Sequence, residues 1–170
     1  MLNDHYNFVW MDASFRFLRS DLDGMYKMAH ENGGIVFFYR AFKITSFTNP
    51  LMYEYLPTNM KKLRETYFGG GDAFLRNTPD LYSNVLYWWF LCALEKDCIA
   101  PKGSQLSCRS PKGSEYVNCH RFDMSASSLL SANHFDYNNS RYILSPKDHK
   151  YIVIRRYPTR RKNIQVCNFQ

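Results

Sequence analysis

The sequence lacks a long hydrophobic run. Its longest apolar stretch, residues 85–94, covers ten residues, and a membrane-spanning helix needs about 20. No C-x-x-C pair occurs among its five cysteines (Cys92, Cys98, Cys108, Cys119 and Cys167), so the ligand spacing of a structural zinc site is missing. No Gly-x-Ser-x-Gly and no protease-type Cys/His spacing occurs, which leaves hydrolase chemistry without support. The single glycine-rich segment, Gly69-Gly70-Gly71-Asp72, is not followed by the lysine of a P-loop. No signal-peptide pattern opens the sequence. Acid is also scarce: 15 Asp and Glu stand against 22 Lys and Arg, a net charge of +7. That excess is local. Residues 147–162 hold Lys147, Lys150, Arg155, Arg156, Arg160, Arg161 and Lys162 against Asp148 alone, or +6, which leaves about +1 for the rest. A nucleic-acid surface spreads its charge over a face of the fold, so no nucleic-acid partner is expected. Residues 157–170 read as a basic tail and residues 1–156 as one unit, with no domain boundary inside it.

Aromatic residues are abundant: thirteen Phe, thirteen Tyr and three Trp. Rings fill cores well, and they also stack on the apolar faces of sugars or bases. With 45% hydrophobic and 22% charged residues the composition is that of a folded domain. Cys98 and Cys108 flank a Pro/Gly/Ser loop that Cys119 follows, and a disulfide pinning this loop would fit an oxidising compartment. Asn138-Asn139-Ser140 is an N-glycosylation sequon. Together these features lean towards the lumen of the secretory pathway.

The pattern predicts an α/β protein. Residues 6–12 form a short apolar run ending in an acid, which reads as a buried strand. Ser20 is expected to cap a helix with Asp23 as the capping-box acid. Leu22, Met25, Tyr26 and Ala29 follow at helical spacing, and Asn32-Gly33-Gly34 ends it. Residues 35–39 read as a second buried strand, completing a unit of βαβ size. Residues 43–58 read as a long loop, with a short helix after Thr58. A third strand is expected over residues 72–76, after the glycines. Thr78 and Pro79 are an N-cap and first-turn proline for a helix to about Lys96, with Leu81, Val85, Trp88, Trp89 and Cys92 on one face. A loop at 101–116 carries two Pro-Lys-Gly-Ser turns. A last helix is expected from Asp123 to His134 and a last strand over residues 151–155.

Three acids stand where chemistry can be placed. Asp12 ends a strand, at the sheet edge where α/β folds put ligands; it can hold a divalent cation bridging phosphates or simply cap the next turn. Asp123, after His120 and Arg121, stands at a helix start, where anions and hydroxyls are oriented, or is only the helix cap. Asp72 follows glycines that let a backbone approach a ligand closely. His134 and His149 are spare metal ligands or surface residues.

Taken in order, Val9-Trp-Met-Asp-Ala-Ser14, Phe68-Gly-Gly-Gly-Asp-Ala-Phe-Leu-Arg-Asn77, Trp88-Trp89, Cys98-Ile-Ala-Pro101 and Cys119-His-Arg-Phe-Asp-Met-Ser-Ala126 resemble an uncharacterised animal domain family, itself similar to nucleotide-diphospho-sugar transferases of the GT-A fold. The likeness runs over about residues 7–156. It implies a partial GT-A, Rossmann-like mixed sheet flanked by helices, whose upstream nucleotide-binding part, and an anchor for the Golgi lumen, would lie outside this chain. It implies transfer of a hexose from a sugar nucleotide to a glycan acceptor, with Mn2+ as cofactor. Asp12, Ser14 and Arg16 would meet the donor diphosphate, Asp12 with His149 as metal candidates. Gly70, Gly71, His120 and Arg121 would face acceptor or sugar, and Asp72 and Asp123 would be catalytic. The sequence departs from the GT-A pattern at Ser14, in place of the second acid of Asp-x-Asp, and at Met124, in place of a glutamine. Those departures keep a second reading open, a catalytically inactive relative that binds glycans or a partner.

Overall fold

The computed structural model describes residues 6–106, 113–144 and 151–154. It is a mixed α/β fold built on a four-stranded sheet in the order β1-β4-β3-β5. These strands are β1 (Asn7–Met11), β3 (Ile35–Lys43), β4 (Tyr67–Arg76) and β5 (Ile143–Leu144). A separate pair joins β2 (Phe15–Phe17) to β6 (Ile152–Ile154). β4 is antiparallel to both β1 and β3, so β1 and β3 run in the same direction. Helix α1 (Asp23–Glu31) lies between them in sequence. The expected strand–helix–strand unit is therefore present in split form, with β4 inserted between its two strands.

β3 is continuous apolar sequence because both of its faces are covered. Ile35 and Phe37 point into one core with Ala73 and Leu75, while Val36 and Phe38 point into a second core with Phe74. Met25 and Ala29 of α1 close the second core with Phe15, Tyr151 and Ile152. The first core is closed by Leu81, Val85 and Cys92 and by α7 (Asp123–His134), through Ala126, Leu129 and Ala132. Each fully buried ring or aliphatic chain here, such as Phe37 or Leu75, contributes about 1.5–3 kcal/mol.

Several expectations are borne out residue by residue. α7 has the predicted bounds. The Thr78 side chain accepts from the Leu81 N–H, with Pro79 in the first turn. A short helix, α3 (Met60–Leu63), follows Thr58. Gly33 and Gly34, with φ of 90° and 104°, turn the chain out of α1 into β3, a backbone region that costs a side chain dearly.

Others are corrected. β1 is an edge strand, not a buried one: it pairs only with β4, and Phe8 and Trp10 are 40% and 48% exposed on the face no other element covers fully. α1 begins at Asp23 with Leu22 as its cap residue, so Ser20 does not cap it; the Asp21 carboxylate takes the Asp23 N–H instead. The supposed loop after β3 holds a buried 3-10 turn (Ile44–Phe47) and α2 (Met52–Tyr55). The glycines lie within β4 rather than before it. The helix from Thr78 is continuous only as α4 (Pro79–Leu81), a π-helical turn (Tyr82–Leu86) and α5 (Tyr87–Leu94), followed by α6 (Lys96–Ile99). That π turn rotates the later residues, and Trp88 ends 48% exposed rather than in the core. Cys98 pairs with Cys92 across the α5–α6 corner. Cys119 is disulfide-bonded too. Cys108 and Cys167 lie outside the described residues, as do His149, most of the second Pro-Lys-Gly-Ser region's leading turn, and the basic tail.

Candidate functional site

The site begins as a fault in strand pairing. β3 and β4 pair at Phe37↔Ala73, again at Tyr39↔Gly69, and again at Lys43↔Tyr67. Between the first two pairs Phe38 alone stands opposite Gly70, Gly71 and Asp72. Between the second two, Phe68 alone stands opposite Arg40, Ala41 and Phe42. Two bulges on facing strands thus follow each other directly. Bulges bend a strand and re-aim its side chains, and they concentrate beside active sites.

A cleft of about 250 Å3 opens at these bulges, lined by Arg40 and Phe42 from β3 and by Phe68 and Gly71 from β4. Asp12 and Phe15 line it from the segment after β1, Phe47 from the 3-10 turn, and Arg121 and Met124 from the start of α7. It lies just past the carboxyl end of β1 and along the carboxyl-terminal half of β3, near the side of the sheet where open α/β folds bind ligands.

One carboxyl group, Asp12, lines the cleft, and two more, Asp72 and Asp123, adjoin its lining residues Gly71 and Met124 in sequence. Asp12 stands just after β1, its N–H bonded to the Gly71 carbonyl and one carboxylate oxygen accepting from the Ser14 N–H at 2.7 Å. Asp123 opens α7. Burial raises its pKa, the N–H groups of Met124, Trp10 and Asp123 itself oppose this, and the charge of Asp12 adds to the rise. Asp12 and Asp123 therefore feel each other electrostatically. Asp72 is fully buried, and burial pushes its pKa up to about 7 against the partial relief of the Arg40 guanidinium and the Phe38 backbone. Neither of its oxygens is in hydrogen-bonding geometry with a partner, so those neighbours act at longer range. Its carboxylate folds over Gly70, where a Cβ would overlap it and would stand 3.1 Å from the Phe38 carbonyl. A buried, unsatisfied carboxyl beside a cleft is costly, and such groups concentrate where chemistry needs them.

Two guanidiniums complete the cleft. Arg40 lies over the Phe15 ring at 5.8 Å, and Arg121 over the Phe47 ring at 5.8 Å. Neither is in an ion pair within 4 Å among the described residues. Each guanidinium is thus placed near a ring face, and a planar N–H fork so placed can take an oxyanion.

The segment bearing Arg121 and Asp123 is rigidly held. His120 is buried, with Nδ1 accepting from the Asn49 N–H and Nε2 facing the Ile99 carbonyl at 3.0 Å. That fixes the proton on Nε2, and burial lowers the pKa, so the ring stays neutral. The Arg121 N–H reaches the Phe47 carbonyl and the Ser125 hydroxyl. Phe122 between them has φ 46°, strain that persists in a bulky residue only where its surroundings impose it. α7 comes close to β4 because glycines face it. The Ser128 hydroxyl takes the Gly69 N–H, and Met124 Sδ would stand 3.2 Å from a Cβ on Gly71.

Of the residues singled out from sequence, Asp12, Gly71 and Arg121 line the cleft, and Gly70, Asp72 and Asp123 stand beside it. His120 does not line it and works as a brace. Ser14 donates its N–H to Asp12, and its hydroxyl is buried without a partner. The Arg16 guanidinium is tied to the carbonyls of Ala13 and Phe15. His134 approaches Asp80 at 3.4 Å, far along α7 from the cleft. Arg40 and the four phenylalanines were missed; the one available signal was a charge directly after the apolar run of β3. For a divalent cation the donors are Asp12 and Asp123, and no group of three His, Cys, Asp or Glu residues forms among the described residues. Two carboxylates fit such an ion only as part of a site shared with ligand phosphates.

The fold and cleft define a mixed α/β protein with an acidic and arginine-bearing site at the β3–β4 bulges. Set against protein-family models, curated proteins and solved structures, the chain matches none of them.

Proposed function

We propose that the chain is a glycosyltransferase-like domain that takes a sugar nucleotide in this cleft and transfers its hexose to a glycan acceptor. One observation carries the reading. Three segments that the resemblance rests on, around Asp12, around Gly71 and around Arg121, are far apart in sequence and meet at one cleft. Arg40 and Arg121 would clamp the donor diphosphate, charge-assisted contacts that suit phosphate oxygens. Asp12 and Asp123 would hold Mn2+ jointly with that diphosphate, and the ion would offset negative charge developing on the leaving group. Asp72 is fully buried and does not line the cleft, so it would act on the site through the Arg40 guanidinium near it rather than on the sugar itself. A secretory, Golgi-type location fits the Cys92–Cys98 disulfide. No described helix is long and apolar enough to cross a membrane.

The test is calorimetry with uridine and guanosine diphosphate sugars, with and without Mn2+. Binding should appear and should weaken at least tenfold in both Arg40→Ala and Arg121→Ala. Absence of heat from every sugar nucleotide would sink the reading.

A second reading, a catalytically inactive glycan-binding relative, draws on the cleft's size. At about 250 Å3 it is below the usual range of about 300–1,000 Å3 for small-molecule sites, and Ser14 stands where a second acid would complete the metal site. Glycan binding that survives Asp12→Asn would favour it.

A further inference from the structure

The sequon at residues 138–140 lies in a built turn well away from the cleft, and we propose that Asn138 is a site of N-linked glycosylation. α7 ends at His134, and the chain then reverses through Asp136 and Tyr137, whose φ values are 49° and 64°. The turn is pinned. Tyr137 Oη lies 2.7–2.9 Å from the Asn59 N–H, Asn133 Oδ1 and Thr58 Oγ1, and Lys62 reaches the Asp136 carboxylate at 2.6 Å.

Two adjacent asparagines leave this turn with different fates. Asn139 is partly buried, and its Oδ1 accepts from the Tyr67 N–H and the Tyr142 hydroxyl. Asn138 is exposed. Its Oδ1 accepts from both the Ser140 N–H, at 3.2 Å, and the Ser140 hydroxyl, at 2.7 Å. The sequon's hydroxyl thus holds the carbonyl side of the amide, and the Nδ2 donates no hydrogen bond within the described residues. The exposed side chain is thus held in a fixed local geometry through its carbonyl side.

The reaction needs a lipid-diphosphate-linked oligosaccharide and its transferring enzyme. The Asn138 nitrogen bonds to the anomeric carbon, the anomeric C–O bond to phosphate breaks, and the lipid diphosphate leaves with the electron pair. One amide proton passes to a base of the transferring enzyme, and nothing is oxidised or reduced. Two further features agree. The Cys92–Cys98 bond and the disulfide at Cys119 fit the oxidising compartment where this chemistry runs. The twelve residues of α7 separate the turn from Asp123 by about 18 Å at 1.5 Å per residue, so a glycan there leaves the cleft open. The inference stands whether or not the cleft binds a sugar nucleotide.

The experiment expresses the chain behind a cleavable secretion signal in animal cells and examines both medium and cell lysate by intact mass and peptide mapping. The expected result is a mass increment removed by peptide N-glycanase, with Asn138 converted to Asp. Asn138→Gln and Ser140→Ala should abolish it while Ser140→Thr keeps it. Disulfide-bonded, translocated protein carrying unmodified Asn138 in both fractions would overturn the proposal, as would an increment that persists in Asn138→Gln.

Discussion

Replacing Asp72 by asparagine removes a charge that the fold holds in a poor place for it. The carboxyl is fully buried with no hydrogen-bonded oxygen, and its pKa rises from 3.8 to about 7. A difference of about three pH units corresponds to about 4 kcal/mol. The sign follows from proton counting. Between pH 3.8 and about 7 the unfolded chain has released this proton and the folded chain still holds it. Stability from this group is therefore full below pH 3.8, falls as pH rises through the window, and levels off above about 7. Asparagine cannot ionise. Asp72→Asn should match the parent at pH 4 and exceed it by up to about 4 kcal/mol at pH 8. Urea melts followed by tryptophan fluorescence at pH 4, 6 and 8 read this directly. Asp123 also has a raised pKa, but it is present in both proteins and cancels in the difference. If the two proteins differ by the same amount at pH 4 and pH 8, the burial penalty assigned to the Asp72 carboxylate is refuted. A gain in stability accompanied by loss of transfer activity would be the usual exchange between function and stability at a working site.

Gly70→Ala should cost about 1–3 kcal/mol, since its Cβ would overlap the Asp72 carboxylate and crowd the Phe38 carbonyl; denaturant melts measure it, and a neutral result would mean the bulge is soft. Removing the Cys92–Cys98 bond as the double alanine variant, which leaves Cys119 untouched, opens a loop with a sequence separation of only 6. The loss should be about 2 kcal/mol, seen as a Tm lower by about 4–8 °C.

Local chemistry was readable where it decides the structure. Thr78-Pro79 announced a helix start, Asp123 to His134 carried its own bounds, and the apolar run of β3 showed that both of its faces are buried. Strands β2 and β5 were not readable. They have three and two residues, and Phe15 gains its pairing only from Ile154, so no periodicity can develop. Residues 43–58 read as a long loop, and Thr45, Ser46, Thr48 and Asn49 within it are polar. They are buried, and three of them are satisfied by distant carbonyls: Thr45 by Ser114, Ser46 by Gly113, Asn49 by Lys102. Asp12, Gly71 and Arg121 could be picked out because each sits in a distinctive string. Arg40 could not, since its place in the cleft comes from a register shift between two strands, which a single strand's sequence does not encode.

The paired bulges also divide the cleft by how freely it can change over evolutionary time. On β4 the cleft is walled by Phe68 and Gly71, and the glycine run there has little room: a Cβ on Gly69 would meet the Phe37 ring, on Gly70 the Asp72 carboxylate and on Gly71, more loosely, the Met124 sulfur. On β3 the opposing bulge presents Arg40 and Phe42 at the half-buried and exposed rim, where a substitution alters what the cleft contacts without crossing the core. Selection for a different ligand would therefore leave its marks on residues 40–42 and spare the glycines, and a mutational library confined to β3's bulge is the shortest route to a changed specificity.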